Sequence, residues 1–279
     1  MQKAEQHYRW AREVFSQIGD VYRCAGANNN LGEIAYRQGR LDEALTYYED
    51  GLQALQQIDG SLYLLGLFHN NIGATFIRRG NIDSAREHLQ MAQKYFEQAQ
   101  ARDFLPEMHR LFAEVALQAG DLPEAEIRSQ EALNLARELS MRGEEGSSLR
   151  ELGLIAMAQN ELDRAEQHLN QSIRLLEDVG DEYEWARSQL SLARLYISRT
   201  NKEAGLSALE KSTEVFQRLD ARIDLAAAQA LRKKLTSGGE IAAGGSLLMP
   251  FRLPGAPPAN LPPDNLIPFP ITCLNKQTG

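Results

Sequence analysis

The feature that most restricts how this chain can fold is a repeat with a step of 40 residues. Five segments align from Leu31, Ile72, Phe112, Leu152 and Leu192, with starts 41, 40, 40 and 40 residues apart. Self-similarity at such a period marks a stack of small units, none of which buries its apolar face alone. The columns of the alignment say what the units are. One holds Gly32, Gly73, Ala113, Gly153 and Ala193, a second Ala44, Ala85, Ala125, Ala165 and Gly205, and a third Gly51, Ala92, Ala132, Ser172 and Ser212. Small side chains at fixed sites let two helix backbones approach closely, where a bulky residue would force them apart. Large apolar residues fill the facing columns: the five segment starts themselves, and later Leu55, Phe96, Leu176 and Phe216, with only Ala136 in the third copy.

Between the first two columns runs a turn, read as Gly39-Arg40, Gly80-Asn81, Gly120-Asp121, Asn160-Glu161 and Thr200-Asn201. Glycine, or asparagine in its place, suits a left-handed helix C-cap. Asn81, Asp121 and Asn201 suit the following N-cap. Asp42, Glu43, Asp83 and Asp163 follow in the first turn, where they oppose the helix dipole favourably, and Pro123 lies where a missing N–H costs little. Each repeat therefore reads as a helix, a tight turn and an antiparallel helix, each helix about 17 or 18 residues and roughly 26 Å long. The predicted fold class is all-α, a right-handed α-solenoid of antiparallel helix pairs.

One period before the first full repeat, Ala4, Tyr8, Ala11 and Phe15 fall into the columns of a second helix. Residues 1–20 are therefore expected to be the second helix of an incomplete repeat. Residues 21–220 carry five helix pairs, at about 21–60, 61–100, 101–140, 141–180 and 181–220, and residues 221–236 a capping helix. A solenoid that starts halfway through a unit exposes an apolar face, which terminal caps normally prevent. The expectation is that the chain is part of a longer protein, that its start is unusual, or that a partner, including a second copy, covers this face. Residues 237–279 are Gly- and Pro-rich, with eight of the ten prolines between Pro250 and Pro270. This tail is expected to be disordered. Its apolar stretches, Leu247 to Phe251 and Leu266 to Pro270, read either as parts of a flexible end or as short docking motifs.

The small-residue columns and the turn motif, GRLDEA, GNIDSA and GDLPEA, resemble the tetratricopeptide repeat family over residues ~1–235. The pattern departs from that family's usual ~34-residue period, lacks its first-helix tryptophan and lacks its closing proline. With Asn29-Asn30-Leu31-Gly32 and Asn70-Asn71-Ile72-Gly73, it is similar to the long-period arrays of kinesin light chains, cell-polarity adaptors and large bacterial signalling ATPases and transcriptional regulators. That resemblance implies a concave groove, lined by the first helix of each pair, that binds a peptide or protein. The lysine-asparagine clamp that some members use for a terminal carboxylate is not matched.

Signals for chemistry are sparse. The chain has no HExxH, CxxC, GxxxxGK[ST] or GxSxG motif, so it is read as a non-enzyme without cofactor or metal. His69 and His109 share one column, His88 and His168 another; members of a column stand about one repeat apart, too far for direct ligation of one metal. They are read as surface or groove histidines. Two lone cysteines, Cys24 and Cys273, point to a reducing, cytoplasmic setting. A net charge of −8 argues against nucleic acid and acidic membranes as partners, and no apolar run is long enough for a membrane span.

The candidate groove residues are Asn29, Asn70, Arg110 and Arg150 in one column, Glu33, Glu114 and Arg194 in a second, and Arg37 and Arg78 in a third. Asparagine can pair with both the N–H and the C=O of an extended peptide, and arginine can fork onto a carboxylate. The stripe therefore suits an extended peptide with some acidic side chains; the plain alternative is that these residues simply face water. Function is accordingly read as a protein-interaction scaffold, the repeat region of a larger signalling or transcriptional regulator. The alternative is a switch whose solenoid changes curvature on binding a small peptide or metabolite.

Overall fold

Each turn of this chain is written into its backbone at a spacing of about one helix. In the computed structural model, which describes residues 2–58 and 60–236, left-handed backbone occurs at Gly19, Gly39, Gly80, Gln100, Gly120, Ser140, Asn160, Gly180, Thr200 and Asp220. These positions end the helices one after another, except the helix ending at Gln56, whose C-cap Gln57 is right-handed, and the repeat's turn column (Gly39, Gly80, Gly120, Asn160 and Thr200) has positive φ throughout. Asn81, Asp121 and Asn201 accept backbone N–H hydrogen bonds from Ser84, Glu124 and Ala204, and so cap the helices that follow. Asp20 and Asp181 do the same. Arg40 and Glu161 provide no side-chain cap. The Gly/Pro-rich tail at 237–279, with its two apolar stretches, lies outside the described residues.

The described residues form twelve α-helices and no strand. They are α1 (Gln2–Gln17), α2 (Val21–Arg37), α3 (Leu41–Gln56), α4 (Leu62–Arg79), α5 (Ile82–Ala99), α6 (Leu105–Ala119), α7 (Leu122–Glu138), α8 (Arg142–Ala158), α9 (Leu162–Val179), α10 (Glu182–Ser198), α11 (Lys202–Leu219) and α12 (Arg222–Thr236). A short 3₁₀ turn, Arg102–Phe104, precedes α6. The fold is an all-α, tetratricopeptide-like solenoid. It divides into two units, one ending at Ala101 and one starting at Arg102. The first carries α1 to α5, the second α6 to α12.

Both units pack by the same rule. A large side chain of one helix lies over a small one of its neighbour, and the sizes are complementary. In the first unit Gly32 faces Tyr48, Gly51 faces Phe68, Gly66 faces Phe96 and Gly73 faces Leu89. In the second, Gly146 faces Leu176 and Gly153 faces Leu169. Where Ala113 replaces glycine, the residue in the Tyr48 column is Ser129, and both are fully buried. The first unit's core gathers Leu31, Leu45, Tyr48, Leu55, Phe68 and Ile72. The second has one cluster around Leu117, Ile155, Met157 and Leu169, and another around Leu209, Phe216 and Leu231 that α12 helps to close. Burying a side chain such as Phe68 or Phe216 contributes about 1.5–3 kcal/mol.

Candidate binding faces of the first helices

The first helices of the pairs stand side by side within each unit: α2 beside α4, and α6, α8 and α10 in a row. On a helix, residues three and four apart share a face, so each first helix presents a polar stripe to its neighbours.

In the first unit, the Asn71 side-chain amide donates to Asn29 Oδ1 at 2.8 Å, joining α4 to α2. Both residues are half-buried. Arg37 pairs with Glu33 one turn earlier on α2. Arg78 reaches back from α4, donating to the Tyr36 carbonyl at 3.3 Å with its guanidinium 5.0 Å from the Tyr36 ring centroid. The structure thus brings Asn29, Glu33, Arg37 and Arg78 onto two adjacent helices. Asn70 differs from the expectation of an open amide. It is fully buried, and neither its oxygen nor its nitrogen has a hydrogen-bond partner.

In the second unit the face is dominated by ion pairs that run from one first helix to the next. Arg110 on α6 lies against Glu144 of α8 at 3.3 Å and Glu107 at 3.8 Å. Arg150 on α8 donates to Glu184 of α10 at 2.8 Å, and Arg187 also meets Glu184. This corrects the reading of Arg110 and Arg150 as open forks for a ligand carboxylate. Both are buried, and their guanidinium groups are committed to acids on the neighbouring helix, because the step between first helices is short enough for an arginine to span. Burial alone would raise the Glu184 carboxyl, but Arg187, Arg150 and Arg110 hold it well below the usual carboxylate range. Burial would lower Arg110, yet Glu144, Glu107 and Glu184 leave its proton held more firmly than usual.

Glu114 and Arg194 are half-buried on the same face, and neither makes an ion pair among the described residues. Burial pushes Arg194 down to about 10, against the partial support of Asp224 on α12. Asp224 itself accepts from the Tyr183 hydroxyl at 3.0 Å. Glu151 of α8 is 1% exposed, and neither carboxylate oxygen has a partner.

Glu151 and Asn71 occupy one column, which the sequence reading passed over. It is the position just before the large apolar residue, and it also holds Asn30, Leu111 and Ser191. The signal was present: the position lies three residues before the Glu33 column, on the same helical face.

The histidines also depart from expectation. His69 is buried, and its Nδ1 lies 3.1 Å from His88 Nδ1, so one ring donates and the other accepts. The His69 ring also stacks on Tyr95 at 5.6 Å. The pair joins α4 to α5 inside one repeat. Sequence columns compared equivalent residues of different repeats and so overlooked a contact between two columns of the same repeat. His109 meets Glu131 at 3.0 Å across the corresponding helix pair of the next repeat. Among the described residues no helix is long and apolar enough to cross a membrane.

Known proteins share this architecture. The chain is similar to NprR, solved in complex with its cognate peptide NprX, with a TM-score of 0.68 and 14% identity over 86% of this chain and 74% of that one. It is similar to a Rap protein complexed with competence and sporulation factor, with a TM-score of 0.60 and 17% identity over 84% and 70% of the two chains. BtubC from P. vanneervenii gives a TM-score of 0.56 and 16% identity over 84% and 92%. At these identities the likeness establishes the fold. No curated protein matches by sequence. The model of the MalT-like TPR region matches residues 1–145, more than half of the 279 residues, and the chain therefore belongs to the MalT-like TPR family.

Proposed function

We propose that the chain is a binding module that holds an extended peptide or protein segment against the inner faces of its first helices. The observation that carries this reading is the Asn29–Asn71 pair. Its single hydrogen bond of 2.8 Å leaves the Asn29 amide nitrogen and the Asn71 amide oxygen without a protein partner among the described residues. One donor and one acceptor side by side match the N–H and C=O of an extended backbone. Glu33, Arg37 and Arg78 flank the pair with charge. Two neighbours of this fold, NprR and the Rap protein, were solved with a cognate peptide and with competence and sporulation factor respectively, which supports the same use here.

The test is to pan the full chain against a displayed peptide library and measure the selected peptide by calorimetry. The Asn29→Ala, Asn71→Ala double variant should bind about 5- to 150-fold more weakly, two lost charge-free hydrogen bonds being about 0.5–1.5 kcal/mol each, with little change in melting temperature because both partners of the Asn29–Asn71 bond are removed together. A double variant that binds as tightly as the parent would rule out this face. Arg110 and Arg150 are unsuitable probes, because both are buried and already paired with acids of the neighbouring helix, so removing either disturbs the packing of the second unit.

A further inference from the structure

The inner face of the second unit contains a carboxylate whose position folding alone does not explain. Glu151 is buried on α8, both its oxygens lack partners, and its immediate sequence neighbour Arg150 points its charge to Glu184 instead. Adjacent residues on a helix do not face each other, so Arg150 is not placed to serve Glu151. Of the other arginines of the face, Arg110 is engaged with Glu107 and Glu144 and Arg187 with Glu184, while Arg194 takes its electrostatic support from Asp224 and not from Glu151. Glu114 of α6, which acts on Glu151 electrostatically, has no ion pair of its own among the described residues.

Burying an ionised carboxylate without a partner costs several kcal/mol, and such groups normally pair or take up a proton. Here Glu151 is such a group, and the half-buried Glu114 stands on the neighbouring helix, neither with an ion pair among the described residues. The Glu151 oxygens are closed off from solvent while Glu114 is half-buried, so a ligand reaches the two carboxyls through Glu114, from the α6 side. Counting Asp224, the face carries six acids against four arginines, an excess of negative charge.

We propose that Glu151 and Glu114 form a seat for an organic cation of the bound peptide, either a lysine ammonium or a free amino terminus. This rests on the peptide-binding reading above and names the chemistry of one subsite. In the free protein burial and the Glu114 charge push Glu151 up to about 7, against the opposing pull of Arg150, Arg110 and Arg187, so that Glu151 carries a proton in about half of the molecules at pH 7. Arg110 on α6, Arg150 on α8 and Arg187 on α10 act on Glu151 directly; Glu107, Glu144, Glu184, Arg194 and Asp224 are the other charges of the same face. An arriving ammonium replaces the proton, and the released proton passes to solvent.

Three tripeptide amides serve as probes for calorimetry on the full chain at pH 7. They are acetylated tri-norleucine, tri-norleucine with a free amino terminus, and acetyl-Lys-norleucine-norleucine. At least one cationic probe should bind ~10-fold or more tightly than the neutral one, and which does so identifies the source of the cation. Binding should release protons, seen as a dependence of the measured heat on the buffer's ionisation enthalpy. Glu151→Gln should abolish both the preference and the proton release while melting no lower than the parent, because it replaces a buried carboxyl that has no hydrogen-bond partner by a neutral side chain of the same shape. Glu210→Gln, an exposed acid on α11, controls for general attraction to a chain of net charge −8. Equal binding of all three probes, or a preference that survives Glu151→Gln, overturns the proposal. A Glu151→Gln variant that melts lower with an unchanged preference assigns the residue a purely structural role and also overturns it. The Asn29–Asn71 test lies in the other unit, so failure here leaves its result standing.

Discussion

Gly51 of α3 lies beneath the Phe68 ring of α4 so closely that a Cβ added at Gly51 would stand 2.3 Å from Phe68 Cζ. Phe68 is fully buried and packs edge-on to Tyr48 at 6.4 Å, so the ring cannot yield without moving the rest of the first unit's core. Gly51→Ala should therefore destabilise the protein by about 1–3 kcal/mol, the usual cost of overpacking, read as a lower urea midpoint. Adding Phe68→Leu should recover part of that loss. If Gly51→Ala is neutral, the helices do not approach as closely as this contact requires.

Thr200 carries the opposite opportunity. Its φ of 59° places a β-branched residue in the left-handed region, where such side chains are strained. The equivalent positions hold Gly39, Gly80, Gly120 and Asn160. Thr200→Gly or Thr200→Asn should raise stability by about 0.5–1 kcal/mol, with thermal unfolding as the measure. A fall in melting temperature would show that the hydroxyl contact to the Arg199 carbonyl outweighs the strain.

The Glu184 carboxylate receives both Arg150 and Arg187, and Arg150 is 2% exposed. Glu184→Gln should cost about 3–5 kcal/mol, because it leaves a buried guanidinium uncompensated. Replacing both partners, Glu184→Leu with Arg150→Met, should be much milder, since the charge that needed compensation is gone. Chemical denaturation of the two variants separates these outcomes; equal losses would mean that the pair is not the source of the cost.

The His69–His88 contact makes stability depend on pH in a defined direction. Burial, reinforced by His88, pushes His69 down to about 4 from its ordinary 6.5. The folded state then binds fewer protons than the unfolded one, so this contribution is complete above pH ~6.5 and is lost as pH falls toward ~4, up to about 3 kcal/mol. His88, His109 and His168 are lowered by burial as well and act in the same sense. His69→Phe, which keeps a ring against Tyr95, should flatten the dependence of melting temperature on pH between 6.5 and 4.5. An unchanged slope would assign the acid sensitivity to other groups.

How much of this was legible beforehand differs between backbone and site. The 40-residue step, the small-residue columns and the turn residues specify helix, turn and antiparallel helix. Each of these signals is local or repeats at a fixed interval. The Gly39, Gly80, Gly120, Asn160 and Thr200 column is left-handed throughout because the turn itself needs that conformation. The compensation of Gly32 by Tyr48, and of Ala113 by Ser129, could likewise be read by setting two columns side by side.

What the tertiary structure decided is which polar side chains are spent. Asn29, Arg110 and Arg150 look alike in the alignment, as polar residues on one helical face. Only the placement of neighbouring first helices shows that Glu144 and Glu184 occupy the arginines, that Asn71 engages Asn29, and that Glu151 is left with none. The sequence alone determined the repeat and the face each residue takes, because helical periodicity is a property of a single segment. It did not determine ion pairing or burial, because these depend on the distance between side chains about 34 to 42 residues apart, which exists only once the helices have packed.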